Sequence, residues 1–139
     1  MKMHQRVMRA IQPYSLWLAL LAAGLVLFPF DWLSEVWPPF GYIFDCVFVT
    51  AREHAIGHTT LFLLAGLLVL CSIARLRRAP LLYLLMMLLG SLGEESFQAL
   101  STWRMPSYGD GRDLGFDALG FVLAYLLVWG WSLLRDTKE

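Results

Sequence analysis

The chain has 139 residues, 58% of them apolar and 14% aromatic, with no net charge and a mean hydropathy of +0.59. Soluble domains average about 45–50% apolar residues, so the excess calls for lipid as a second solvent. The balanced charge leaves no global field to draw in nucleic acid, and the length suits a single domain over residues 1–139.

In chain order, residues 1–13 carry Lys2, Arg6 and Arg9 and lead into the apolar run Tyr14–Phe30. A basic start before an apolar run resembles a signal peptide. This run continues past Ala22-Ala23-Gly24 into bulky residues, which favours an uncleaved first spanning helix over about 14–33. Residues 31–53 are mixed, and Pro38-Pro39 and Gly41 interrupt any long helix. This stretch reads as an aromatic-rich loop on the membrane, with a short helix or partly re-entrant. Its Trp, Tyr and Phe residues are expected to form an interfacial belt rather than a ligand site. A second helix is expected over about 54–74, ending at the basic turn Arg75-Leu76-Arg77-Arg78. Pro80 then suits the first turn of a third helix over about 80–100. The purely apolar part of that helix is shorter than the roughly 20 residues of a span, so it crosses only with Glu94, Glu95 and Gln98 at its outer end. Residues 101–112 are rich in turn formers (Pro106, Gly109, Asp110, Gly111), and a fourth helix follows over about 113–134. Cys46 and Cys71 lie at opposite ends of the second apolar segment, so no disulfide is expected.

The expected fold class is therefore all-α, an integral membrane bundle of four transmembrane helices. Of the 11 Lys and Arg residues, only Arg52, Arg104 and Arg112 fall on one side of this topology. The rest lie at the termini and in the 75–78 turn, which marks that side as cytoplasmic. Both termini are then cytoplasmic, and the loop after helix 1 and the 94–113 stretch face outward. Of the 11 Asp and Glu residues, all but Asp136 and Glu139 lie on the outer side.

Helical spacing places His54 and His58 on one face of the second helix. Ser91, Glu94, Glu95 and Gln98 share a face of the third, and Asp117, Gly120, Phe121 and Ala124 a face of the fourth. Ionisable groups near hydrocarbon are costly unless they face inward and pair. Convergence is the simplest solution: His54, His58, Glu94 or Glu95, Gln98, Asp113 and Asp117 around one outward-opening pocket. Arg104 and Arg112 are close enough in sequence to neutralise part of it. Histidines at this spacing can share a metal ion, but Ala55 stands where the His-Glu-x-x-His motif needs Glu. A hydrogen-bonded His–carboxylate pair is preferred, and no metal or cofactor is assigned. Glu94 or Glu95 with Asp117 fits a general acid/base pair, against the plainer alternative that Arg104 or Arg112 bridges them and fixes the helix ends.

These residues resemble the VanZ-like membrane proteins, a family named for a glycopeptide-resistance accessory protein. The family pattern has a histidine opening one helix and Glu-x-x-Gln ending the next. An arginine follows in the loop, and an Asp…Asn…Gly run opens the last helix. His58, Glu95-Ser96-Phe97-Gln98, Arg104, Asp113 and Gly120 match it in order, over roughly residues 45–125. Asp117 stands where the family usually has Asn. The Arg104–Asp113 loop is longer than usual, which makes Arg112 a rival arginine, and His54 replaces a common Asp. The resemblance implies a multi-pass protein of the bacterial plasma membrane, linked to the cell surface and, in the namesake, to reduced teicoplanin sensitivity. It does not imply an established reaction.

The function expected is binding or modification of a lipid-linked or peptidoglycan-related component at an extracytoplasmic site, with membrane lipids as further partners. As an enzyme, Glu95 would be the general acid/base with His58 as its partner. Arg104 or Arg112 would hold an anionic group, and Asp113 and Asp117 would orient them. The rival class is a non-enzymatic binding or assembly protein whose polar cluster is a structural ion-pair network. A small transporter is disfavoured because the interiors of the apolar segments are almost free of polar groups.

Overall fold

The computed structural model describes residues 14–105 and 107–136. Lys2, Arg6, Arg9, Pro106 and Lys138 lie outside the described residues, as does the side chain of Arg135. The described chain is helical, with no strand among the described residues. Its helices are α1 (Ser15–Val26), α2 (Phe30–Val36), α3 (Pro38–Val47), α4 (Ala51–Ser72), α5 (Pro80–Ser101) and α6 (Tyr108–Asp136), with a 3-10 turn at Ala74–Arg78 between α4 and α5.

Four features differ from the sequence expectation, each for a local reason. The first helix does not run to residue 33. It ends at Val26, and α2 leaves at 65°. Pro29 causes the break, because it denies the residue before it the helical region and cannot donate into a continuing ladder. Where an aromatic loop is expected, α2 and α3 are helical. Pro38 and Pro39 occupy the first turn of α3, where a missing N–H costs nothing. The helix expected from residue 54 begins at Ala51. Thr50 caps it with a reciprocal box, in which Thr50 N–H donates to Glu53 Oε2 at 2.7 Å and Glu53 N–H donates to Thr50 Oγ1 at 3.4 Å, satisfying two donors of the first turn.

The fourth helix also starts early, at Tyr108 rather than 113. Ser107 N–H donates to Asp110 Oδ2 at 2.5 Å. The residues that look like loop formers are therefore a helix start, with an acid in the first turn that reaches back to the preceding backbone.

Two helices, α4 and α6, are long and apolar enough to cross a membrane, and the bent pair α1–α2 makes a third if it counts as one span. A 22-residue helix is ~33 Å long, close to the ~30 Å hydrocarbon thickness. α5 has the same length but carries Glu94 and Glu95. Large apolar side chains cover the outside, among them Leu81, Leu85 and Leu89 of α5 and Leu126 and Leu127 of α6. Such a surface matches lipid rather than water.

The core lies mainly between α4 and α6, with α1 and α5 packed on either side. Phe62, Ala65, Leu70, Tyr83 and Ala124 are completely buried. Two glycines allow the close approach. A Cβ on Gly120 would collide with the Thr59 carbonyl oxygen and lie 2.9 Å from Leu63 N, and a Cβ on Gly66 would lie 2.9 Å from Ala124 Cβ. This is the small-residue contact by which membrane helices bring their backbones together. Tyr83 of α5 adds a buried hydrogen bond, its hydroxyl donating to the Phe121 carbonyl at 2.8 Å.

Gly120→Ala should force α4 and α6 apart at a cost of about 1–3 kcal/mol, lowering the melting temperature of the detergent-solubilised protein. Gly130→Ala, whose added methyl meets nothing within 4 Å, should not lower it. Equal melting temperatures for the two variants would show that the close approach contributes nothing.

Candidate functional site

Three helices meet at one end of the molecule, opposite the Ala74–Arg78 turn, and each delivers polar groups. His58 lies in the second turn of α4. Ser91, Glu94, Glu95 and Gln98 form one inward face of the C-terminal half of α5, and Asp117 lies in the early part of α6. All of the α5 and α6 groups are buried, with Ser91 and Asp117 at 0% exposure. Asp117 is the junction: His58 Nδ1 lies 2.8 Å from its Oδ1, and Ser91 Oγ donates to its Oδ2 at 2.5 Å. An Asn here would keep only one of those acceptor oxygens, so it is the carboxylate that lets one side chain tie α4, α5 and α6 together.

The neighbouring carboxylates are less well supplied. Gln98 Nε2 donates to Glu94 Oε1. Glu94 Oε2 and both oxygens of Glu95 are buried without a hydrogen-bond partner. Asp113 Oδ1 is likewise unbonded, with Arg112 Nε at 3.7 Å, within ion-pair range but too long for a hydrogen bond.

Neither Arg104 nor Arg112 forms an ion pair with Glu94, Glu95 or Asp117, contrary to one sequence expectation. Arg104 Nη1 donates to both oxygens of Asp110, at 2.6 and 2.8 Å. That hydrogen bond is the main cause holding the Arg104 guanidinium above its ordinary pKa. The position of Arg104 follows from the way α5 ends. Trp103 takes a left-handed φ of 51°, its N–H donates to the Leu100 carbonyl, and Arg104 N–H donates to the Ala99 carbonyl at 3.0 Å. This is a Schellman turn with Trp where Gly is usual. Arg112 sits inside α6 and points away, its side chain 45% exposed.

Beside the cluster is a cavity of about 350 Å3. Its polar lining comes from Asp31, His54, His58, Glu94, Gln98, Arg104 and Asp113, and its apolar lining from Phe30, Phe40, Phe44, Phe48 and Leu61. Among the expected site residues, then, His54, His58, Glu94, Gln98, Arg104 and Asp113 face one cavity. Glu95 and Asp117 are buried next to it, and Arg112 is outside. Of the two adjacent glutamates, Glu94 and not Glu95 lines the cavity. His54 lines the cavity but does not belong to the group formed by His58, Glu94, Glu95 and Asp117. Its Nδ1 is 3.2 Å from the Thr50 carbonyl oxygen, and its ring lies against Phe48 at 5.3 Å between centroids.

Sequence reasoning misses Asp31 and the phenylalanine wall. Phe40, Phe44 and Phe48 stack along one side of the cavity, with ring centroids 5.8 and 4.7 Å apart. Gly57 admits the last ring, since a Cβ there would lie 2.6 Å from Phe48 Cε1. The signal was the four-residue spacing of the three rings, which puts them on one helical face. Trp32, Trp37 and Tyr42 are exposed on the outside of the molecule. The aromatic stretch thus divides into a lining and an outer face. No family model, curated protein or solved structure matches the chain.

Asp117→Ala should strand the buried Ser91 hydroxyl, a loss of about 1–3 kcal/mol. A Ser91→Ala/Asp117→Ala cycle, read by melting in detergent, should be non-additive by at least ~0.5 kcal/mol. Strict additivity would show that the contact carries no coupling.

Proposed function

We propose that this chain is a VanZ-like integral membrane protein of the cell envelope whose pocket opens to the extracytoplasmic side and takes a lipid-linked or peptidoglycan-related molecule. The observation that carries the reading is convergence. His58, Gln98, Arg104 and Asp113, spread over more than fifty positions of sequence, line one cavity, and Glu95 and Asp117 are buried against it. In this reading the chain spans four times, with the bent α1–α2 pair as the first span and α5 as the third. The termini and the Arg75, Arg77 and Arg78 turn are cytoplasmic by the basic-residue rule.

The cavity's two kinds of wall support an amphipathic ligand. Phenylalanine rings suit a hydrocarbon chain, and Arg104 suits an anionic headgroup. Only Nη1 of Arg104 is taken by Asp110, and a guanidinium has five donors. In a catalytic form of the reading, Glu94 or Glu95 carries a proton, with His58 held by Asp117 as its partner. Glu94 is the better placed, since it faces the cavity.

A second reading, a non-enzymatic binding or assembly protein with a structural network, draws on the His58–Asp117–Ser91 chain that links three helices. The unpartnered oxygens of Glu94 and Glu95 weigh against it, because a network that exists to stabilise should satisfy its own members.

Glu94→Gln and Glu95→Gln separate the two readings. The pocket reading expects loss of the glycopeptide-sensitivity phenotype with normal accumulation in the membrane. Disappearance of the protein from the membrane would favour the network instead. Topology is checked independently with Met105→Cys, an 86% exposed position, in a background with Cys46 and Cys71 replaced. Labelling by an impermeant thiol reagent from outside intact cells is expected, and labelling only after lysis would reverse the sidedness.

A further inference from the structure

We propose that His58, Glu94, Glu95 and Asp117 bind one divalent transition-metal ion, of the Zn2+, Mn2+ or Fe2+ class. Each can offer one ligand atom, and the four atoms lie within 4.8 Å of one another. Ligands bonded at ~2.1 Å sit ~3–4 Å apart around a single ion, so a small contraction closes the set.

Proximity of acids alone would not make a site; the unsatisfied oxygens do. Glu94 is 2% exposed and Glu95 7%, and three of their four carboxylate oxygens have no hydrogen-bond partner. Buried carboxylates need a proton or a counter-charge. Among the described residues the arginines nearest in sequence form their ion pairs with other acids, Arg104 with Asp110 and Arg112 with Asp113. A dication supplies the missing charge to all three acids at once.

The surrounding donors are arranged as an outer shell would be. Ser91 holds Asp117 Oδ2 and Gln98 holds Glu94 Oε1. That leaves Glu94 Oε2 and the Glu95 carboxylate for the ion, while Asp117 Oδ1 and His58 Nδ1 would exchange their mutual hydrogen bond for it. Outer-shell hydrogen bonds of this kind orient first-shell ligands. His58 Nδ1 and Asp117 Oδ1, 2.8 Å apart, are close to the ~3 Å expected of neighbouring ligands on one ion.

The donor set selects the class. One imidazole with three carboxylates suits Zn2+, Mn2+ or Fe2+, and the absence of thiolate disfavours soft ions; Cys46 and Cys71 are exposed and outside the cluster. This set differs from a His54/His58 pair, because His54 is turned to Thr50 and Phe48. Since His58 and Glu94 also line the cavity, an ion here would stand at its wall, where a bound metal polarises a phosphoryl or carbonyl oxygen or activates water. The proposal does not rest on the ligand being an envelope component.

The test uses the full chain purified in detergent without chelator. It is incubated separately with Zn2+, Mn2+ or, anaerobically, Fe2+, desalted, and analysed for metal by mass spectrometry. The expected result is about one ion per chain for at least one metal, a melting temperature raised by that metal and lowered again by EDTA, and at least tenfold less metal in Glu95→Gln. His54→Ala should keep its metal. Glu95 has no hydrogen bond to lose, so its Gln variant should fold, and its melting temperature should equal that of EDTA-treated wild type. Less than a tenth of an ion per wild-type chain with all three metals would overturn the proposal. Equal retention by Glu95→Gln would mark an adventitious ion only and overturn it too. A metal-free wild type whose phenotype still depends on Glu94 would sink the metal and leave the envelope reading standing. A bound metal with no such phenotype would do the reverse.

Discussion

The shared carboxylate of Asp117 is the constraint on which the rest of the site depends. A completely buried acid must have its oxygens satisfied, and here the partners come from two other helices, His58 of α4 and Ser91 of α5. Those contacts form only if α4 and α6 approach closely. Gly120, one turn beyond Asp117, permits that, with backbone atoms of Thr59 and Leu63 occupying the space a side chain would need. Polar satisfaction and small-residue packing are therefore one arrangement viewed at two depths. The close helix contact sets the distance at which histidine and aspartate meet, and their meeting in turn aligns α5, which brings Glu94 and Glu95.

Much of this was legible from spacing alone. His58, the Ser91–Gln98 face and Asp117 stand out because charged groups in an otherwise apolar sequence at helical intervals must turn inward together. What spacing could not supply was partner choice. Glu94 and Glu95 are neighbours in sequence, about 100° apart around a helix, and only the placement of α4 and α6 decides which faces the cavity. Arg104 and Arg112 were equivalent as loop residues. They cease to be so once α6 begins at Tyr108, which carries Arg112 onto a helix surface while a tight turn aims Arg104 at Asp110.

Other differences were written in the sequence and outweighed by a stronger cue. Thr50-Ala51-Arg52-Glu53 is a capping-box sequence, yet it falls in the mixed 31–53 stretch and so outside the helix expected from residue 54. Gly109 and Gly111 suggested a turn, while Asp110 between them acts as a helix-start acid. Pro29 ended α1 where hydrophobicity alone would have carried it on, because hydropathy does not register a missing N–H. The phenylalanines were hidden by their neighbours. Trp32, Trp37 and Tyr42 are interleaved with Phe30, Phe40, Phe44 and Phe48, and composition cannot separate the two faces.

The turn at Trp103 has a mechanical meaning. A left-handed backbone at a residue with a side chain costs ~1–2 kcal/mol, and Gly would avoid it. The indole there is 94% exposed and touches little of its own protein. Indoles partition favourably into the bilayer interface, so in a membrane the lipid surface is what can offset the torsional cost. Arg104 follows directly in the chain, and its direction is set by the same two backbone bonds. The turn at Trp103 and the direction of Arg104 are therefore one feature, and a change that relaxes the first releases the second.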